Sequence, residues 1–175
     1  IEKTAKYAES STILNPADAA EFVNDIESVN LSATKSFLGN QLAKINSVEL
    51  QLLANGKPLD ESGITFADNG VVTLKTAAGA DGDGYYHWKS SELNASWENL
   101  PKNTYDADGK ATSITYSVRE NNGNSSVYKV FYNGKEASTD NSSATFDKDG
   151  KTTVTNCEYI EINGTKTWDD KGNEA

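Results

Sequence analysis

From Val29 onward, apolar and polar residues alternate in short runs. VNLSATKSF, SVELQLLA, VVTLKTA, ATSITYSVRE, VYKVFY and TTVTNCEYI each hold a period of two over much of their length. That period places alternate side chains on one face of a β-strand. Turn signals separate the runs: Asn55-Gly56 and Asn133-Gly134 are hairpin dipeptides, and GADGDG, DADG and DKDG are acidic glycine loops. ATSITYSVRE is the longest clean alternation, and the aromatic run YYHWKSS reads as a further strand. Seven or more short strands with regular turns predict an all-β, antiparallel sandwich, with no helix inside the unit.

The segment before Val29 reads two ways. NPADAAEFVNDIES has helix grammar: Asn15 as N-cap, Pro16 at the first position, and Ala19, Phe22, Val23 and Ile26 on one stripe. Yet SSTILNPADAAEFVN, residues 10–24, runs without a gap against SSATFDKDGKTTVTN, residues 142–156, which reads as a closing strand. A second correspondence has nearly the same interval. Asn24 and Asn156 lie 132 apart, while Thr34-Lys35 and Thr165-Lys166 lie 131 apart, as do Phe37 and Trp168. Self-similarity at one interval marks a tandem array. The expected organisation is a closing strand of a preceding repeat at 1–28, one complete domain at 29–160, and the opening strand of a following repeat at 161–175.

Composition narrows the function. Lysine and arginine total 16 against 26 acidic residues, a net charge of −10. Such a surface repels nucleic-acid phosphates and suits a soluble, self-repelling module. Cys157 is the single cysteine, so no disulfide closes within the chain, although small exported β domains commonly rely on one. No apolar span is long enough to cross a bilayer as a helix. The aspartate-rich loops lack the full calcium-loop pattern and read as turns, with no metal or cofactor expected. His87 has no cysteine or second histidine to complete a zinc set. Cys157 should point away from the face that Asn156 occupies. Tyr85, Tyr86 and Trp88 read as packing residues, or alternatively as an aromatic platform for a host protein or carbohydrate.

Three polar residues stand in strands that should be apolar on one side: Lys35, Glu120 and Asn156; taken singly, each reads as facing water on its strand. ATKSF, SVELQLLANGKPL, WENLPKNTYDADGKATSITYSVRE and TVTN, in that order and spacing, resemble the B-type repeats of collagen-binding adhesins and related Gram-positive pilin domains. INGTKTWDD repeats the family's start motif. The resemblance covers most of residues 29–159; Phe37 stands where tryptophan is common, and the stretch between GADGDG and SWENLP is long. It implies an immunoglobulin-like sandwich of the collagen-adhesin B type, with an intramolecular isopeptide bond between Lys35 and Asn156. Glu120 would assist as proton shuttle. Burial favours a neutral, nucleophilic lysine and a protonated carboxyl, and folding supplies high effective molarity. The chemistry would occur once per molecule, so turnover catalysis is not expected.

The same resemblance makes Lys166 the amine of the following repeat and Asn24 (Asp25 if the gap falls one residue later) the acceptor of the preceding one. Neither has its own repeat here. The implied role is a stalk or shaft module of a cell-wall-anchored, extracellular adhesin or pilus, with neighbouring repeats as partners and a host matrix or carbohydrate ligand only at a distal tip. The alternative is a ligand-binding adhesin domain that uses its aromatic loops.

Overall fold

The computed structural model describes residues 27–39, 44–82, 84–121, 128–158 and 164–166. Residues 1–26, where the helix and strand readings compete, lie outside the described residues, as do Asn24 and most of the expected following repeat.

The described residues form two packed β-sheets. The first contains β1 (Ser28–Leu38), β5 (Asn94–Pro101), β9 (Tyr128–Tyr132), β10 (Lys135–Glu136) and β12 (Lys151–Glu158), in the order β10-β9-β12-β1-β5. The second contains β2 (Ser47–Ala54), β3 (Lys57–Pro58), β4 (Val71–Lys75), β8 (Tyr116–Glu120) and β11 (Ala144–Thr145). Its order is β11-β8-β2, with β3 and β4 pairing different stretches of β2. A separate hairpin joins β6 (Asn103–Tyr105) to β7 (Ala111–Ser113). The chain is thus an all-β, immunoglobulin-like sandwich. Among the described residues its ladders are antiparallel except one: β1 and β12 run parallel, from Ser32 opposite Lys151 to Leu38 opposite Cys157.

Alternation decides what enters the core. Along β1, Leu31, Ala33 and Lys35 are buried, and along β12 so are Thr152, Val154 and Asn156. From the facing sheet come Val48, Leu50, Leu52, Tyr116 and Val118. Trp97 is fully buried, with its indole N–H donating to the Gly70 carbonyl at 2.9 Å. Both Asn-Gly turns have positive φ at each residue, 52° and 80° for Asn55-Gly56 and 50° and 80° for Asn133-Gly134, as tight hairpins demand. In the DKDG turn, Gly150 lies against β1. A Cβ there would come within 2.5 Å of the Asn30 carbonyl oxygen, so only glycine fits.

Two expectations need correction. ATSITYSVRE is not one strand. At its middle the Ile114 N–H donates to the Lys102 carbonyl and the Thr115 N–H to the Asn55 side chain, both at 3.0 Å. The chain therefore leaves the outer hairpin as β7 and enters the core sheet as β8. YYHWKSS does not form a strand either. Tyr86 makes an isolated bridge with Ala80, and the segment then turns into a short 3₁₀ stretch at Ser90–Glu92.

Candidate functional site

Inward parity on three strands brings Lys35, Glu120 and Asn156 together in the interior. Lys35 stands opposite Val154 in the parallel ladder and Asn156 opposite Phe37, so the two are diagonal neighbours on one face. Glu120 comes from the facing sheet, at the end of β8 and opposite Leu50 of β2. Lys35 Nζ lies 3.1 Å from Glu120 Oε2, with both side chains fully shielded from solvent. The contact is an ion pair by distance but is not aligned as a hydrogen bond. Asn156 Nδ2 donates to Glu120 Oε1 at 2.9 Å, and among the described residues the buried Asn156 Oδ1 has no hydrogen-bond partner. A long contact of 3.5 Å joins Lys35 Nζ to the Val154 carbonyl.

Burial dominates the electrostatics. It pulls the Lys35 amine down from its ordinary value to about 8, against the opposing pull of the Glu120 carboxylate. An aromatic wall completes the enclosure. The Phe37 ring centroid is 5.0 Å from Lys35 Nζ, and Phe37 packs on Trp88 and Tyr128 with centroids 5.4 and 6.1 Å away. Trp88 is pinned by its indole N–H to the Ile45 carbonyl at 3.0 Å, and the Tyr128 hydroxyl accepts from the Lys44 N–H at 2.7 Å. The site thus unites a partly neutralised amine, a carboxyl group and a primary amide, all dry, with the carboxyl group touching both of the others and the amine and amide diagonal to each other in the ladder. That set supports aminolysis of the amide within the folded chain.

Apart from Trp88, the other residues singled out in the sequence lie elsewhere. Lys166 is exposed. Cys157 is a free, half-buried thiol on the strand face opposite Asn156. His87 is exposed and contacts the Asp81 carboxylate. Tyr85 and Tyr86 are half-buried, as is Trp88. Asp106 and Asp147 each use one carboxylate oxygen to accept two backbone N–H groups of their own turns. Among the described residues, no three His, Cys, Asp or Glu side chains gather into a metal-binding set, and no helix is long and apolar enough to cross a membrane.

Sequence reasoning missed Tyr132. Its hydroxyl accepts a hydrogen bond from the Glu120 backbone N–H at 3.1 Å. The parity of VYKVFY carried the signal, because Tyr128, Val130 and Tyr132 share one face.

No family model matches the chain, and no curated protein matches it. Among solved structures it is similar to the pilus-presented adhesin Spy0125 (Cpa), at 18% identity over 75% of this chain and 27% of that one, with a TM-score of 0.40. The pilus adhesin SpaC from Lactobacillus rhamnosus GG gives 17% identity over 75% of this chain and 12% of that one, with a TM-score of 0.40. The major pilin T3.2 from Streptococcus pyogenes gives 18% over 75% and 45%, with a TM-score of 0.34. The chain therefore spans less than a third of the first two structures and less than half of the third. The likeness concerns chain path and says nothing of the chemistry at Lys35.

Proposed function

We propose that this domain is a self-crosslinking structural module, in which Lys35 and Asn156 join through an isopeptide bond with help from Glu120. The carrying observation is the burial of all three side chains, with Glu120 of β8 touching both Lys35 of β1 and Asn156 of β12. The neutral Lys35 amine attacks Asn156 Cγ. A C–N bond forms, the Cγ–Nδ2 bond breaks, and the amine proton passes through the Glu120 carboxyl to the departing nitrogen. The products are a secondary amide and one ammonia. The Asn156 Nδ2 to Glu120 Oε1 contact already sets the leaving nitrogen on the proton carrier, and close approach replaces an external enzyme.

The role that follows is mechanical. A tie between the opening and closing strands carries tension across the domain while the intervening chain stays folded. It also restricts the unfolded chain, by roughly 4–5 kcal/mol if the entropy model for disulfides transfers to an amide, and reduction cannot open it. Together with the sequence resemblance, this supports a stalk or shaft module of a cell-wall-anchored Gram-positive adhesin or pilus, flanked by neighbouring repeats.

Intact-mass measurement tests the chemistry directly. Each chain should be lighter than its sequence by the mass of one ammonia, and digestion should yield one branched peptide linking Lys35 to Asn156. Lys35→Ala and Asn156→Ala should each restore the full mass and lower protease resistance while keeping the fold. An unmodified wild-type chain would refute the bond; loss of a second ammonia would show that Lys166 or Asn24 also reacts.

A further inference from the structure

We propose that Tyr132 is a positioning residue for this crosslink: its hydroxyl, reaching across the sandwich to the backbone of Glu120, sets where the Glu120 carboxylate meets Lys35 and Asn156. The proposal rests on the bond-forming reading above.

The backbone geometry at the end of β8 makes the case. Asn121 N–H donates to the Glu49 carbonyl at 3.0 Å, on the β2 side. N–H groups alternate in direction along a strand, so the Glu120 N–H points away from β2. On that side β11 pairs only with Ser117 and Val118 and does not reach Glu120. The Tyr132 hydroxyl takes this N–H instead. Tyr132 itself stands opposite Val154 of β12, two residues from Asn156. One buried side chain therefore links the sheet that holds the amine and the amide to the strand that holds the acid. Its phenol stays protonated, because burial first, and then the nearby Glu120 charge, push it up against the downward pull of the Glu120 N–H.

The structure supplies a control. Tyr116 lies on the same strand as Glu120, is similarly buried, and donates its hydroxyl to the Pro101 carbonyl at 2.7 Å across the sandwich. Tyr116→Phe removes a comparable bond at the far end of β8.

The experiment follows crosslinking in freshly synthesised full chains, by intact mass against time and over a range of pH. Tyr132→Phe should slow ammonia loss roughly tenfold or more, the penalty typical of a misplaced reacting group. It should also move the Lys35 titration seen in the rate to lower pH, since the carboxylate that opposes lysine desolvation has retreated. Tyr116→Phe should leave rate and profile near wild type. In the unreactive Lys35→Ala background, Tyr132→Phe should speed deuterium exchange at the Glu120 amide. Crosslinking of Tyr132→Phe at the wild-type rate, equal slowing by Tyr116→Phe, or unchanged exchange at Glu120 would each overturn the proposal. If wild type itself loses no ammonia, the bond-forming reading fails and this proposal goes with it; if wild type reacts and only the Tyr132 results fail, the bond stands without this role.

Discussion

The two faces of the β1–β12 ladder carry similar polar chemistry under opposite conditions. On the outward face, Ser36 Oγ and Thr155 Oγ1 lie 2.7 Å apart, and Thr34 donates to the Asn94 side chain at 3.1 Å. One residue along each strand, on the inward face, stand Lys35 and Asn156, both fully buried. The outward hydroxyls exchange water for each other at little net gain or loss. The inward pair surrenders its hydration and is only partly repaid, since among the described residues Asn156 Oδ1 has no partner. A buried ion pair often costs more in desolvation than its attraction returns. The lesson is that the inward arrangement is poor as a stabilising network and sensible as a reactant state. The proposed crosslink would convert an ammonium-forming group and a primary amide into a neutral secondary amide, which would relieve the unfavourable burial.

Glu120→Ala breaks the contrast most severely. It removes the group proposed to carry the proton, so the chain should keep its full mass with Lys35 and Asn156 still in place. It also strands the lysine without a counter-charge. The expected loss is about 4–5 kcal/mol from the missing tie and about 3 kcal/mol from the unpaired buried amine, read as a lower midpoint in denaturant unfolding. Normal crosslinking in this variant would show that Glu120 carries no proton.

How much of this could be read from the chain depended on how locally each feature is determined. The Asn-Gly turns follow from dipeptide geometry, so the sequence displays them; the burial of Lys35, Glu120 and Asn156 comes only with the family resemblance, because a single polar residue on a strand reads as readily as facing water. The break at Ile114-Thr115 is not local, because it is made by Lys102 and Asn55, distant partners that alternation does not encode. YYHWKSS has strand composition, yet Trp88 is held by the Ile45 carbonyl and not by a ladder. The parallel pairing of β1 with β12 is a property of topology. Sequence order brings the two strands into correspondence without fixing their direction.

The pH dependence of stability isolates the buried amine. In an Asn156→Ala chain the amine stays free. Its folded value, about 8, lies below its ordinary 10.5. Between those values the unfolded chain binds more protons at Lys35 than the folded chain does, so stability contributed by this site must rise with pH. Below about pH 8 the burial penalty is fully present, and by about pH 10.5 it is relieved. The measurement is the difference in unfolding free energy between Asn156→Ala and the Lys35→Ala/Asn156→Ala double variant, which cancels other titrations. It should change by a few kcal/mol over that window, with a slope of about 1.4 kcal/mol per pH unit. A flat difference would mean that Lys35 titrates as though solvated.

The smallest effect belongs to the outward face. Ser36→Ala removes one member of a part-buried hydroxyl pair, and water can satisfy Thr155 Oγ1 in its place. The change should therefore stay within about 1 kcal/mol, with crosslinking complete by intact mass. Ser36 is the immediate neighbour of Lys35, so the comparison holds strand, register and sequence position almost constant and varies only the face. If Ser36→Ala nevertheless slowed the loss of ammonia, the alignment of β1 on β12 would depend on the outer hydroxyl pair. The inner site would then be positioned from both sides of the sheet and not by the core alone.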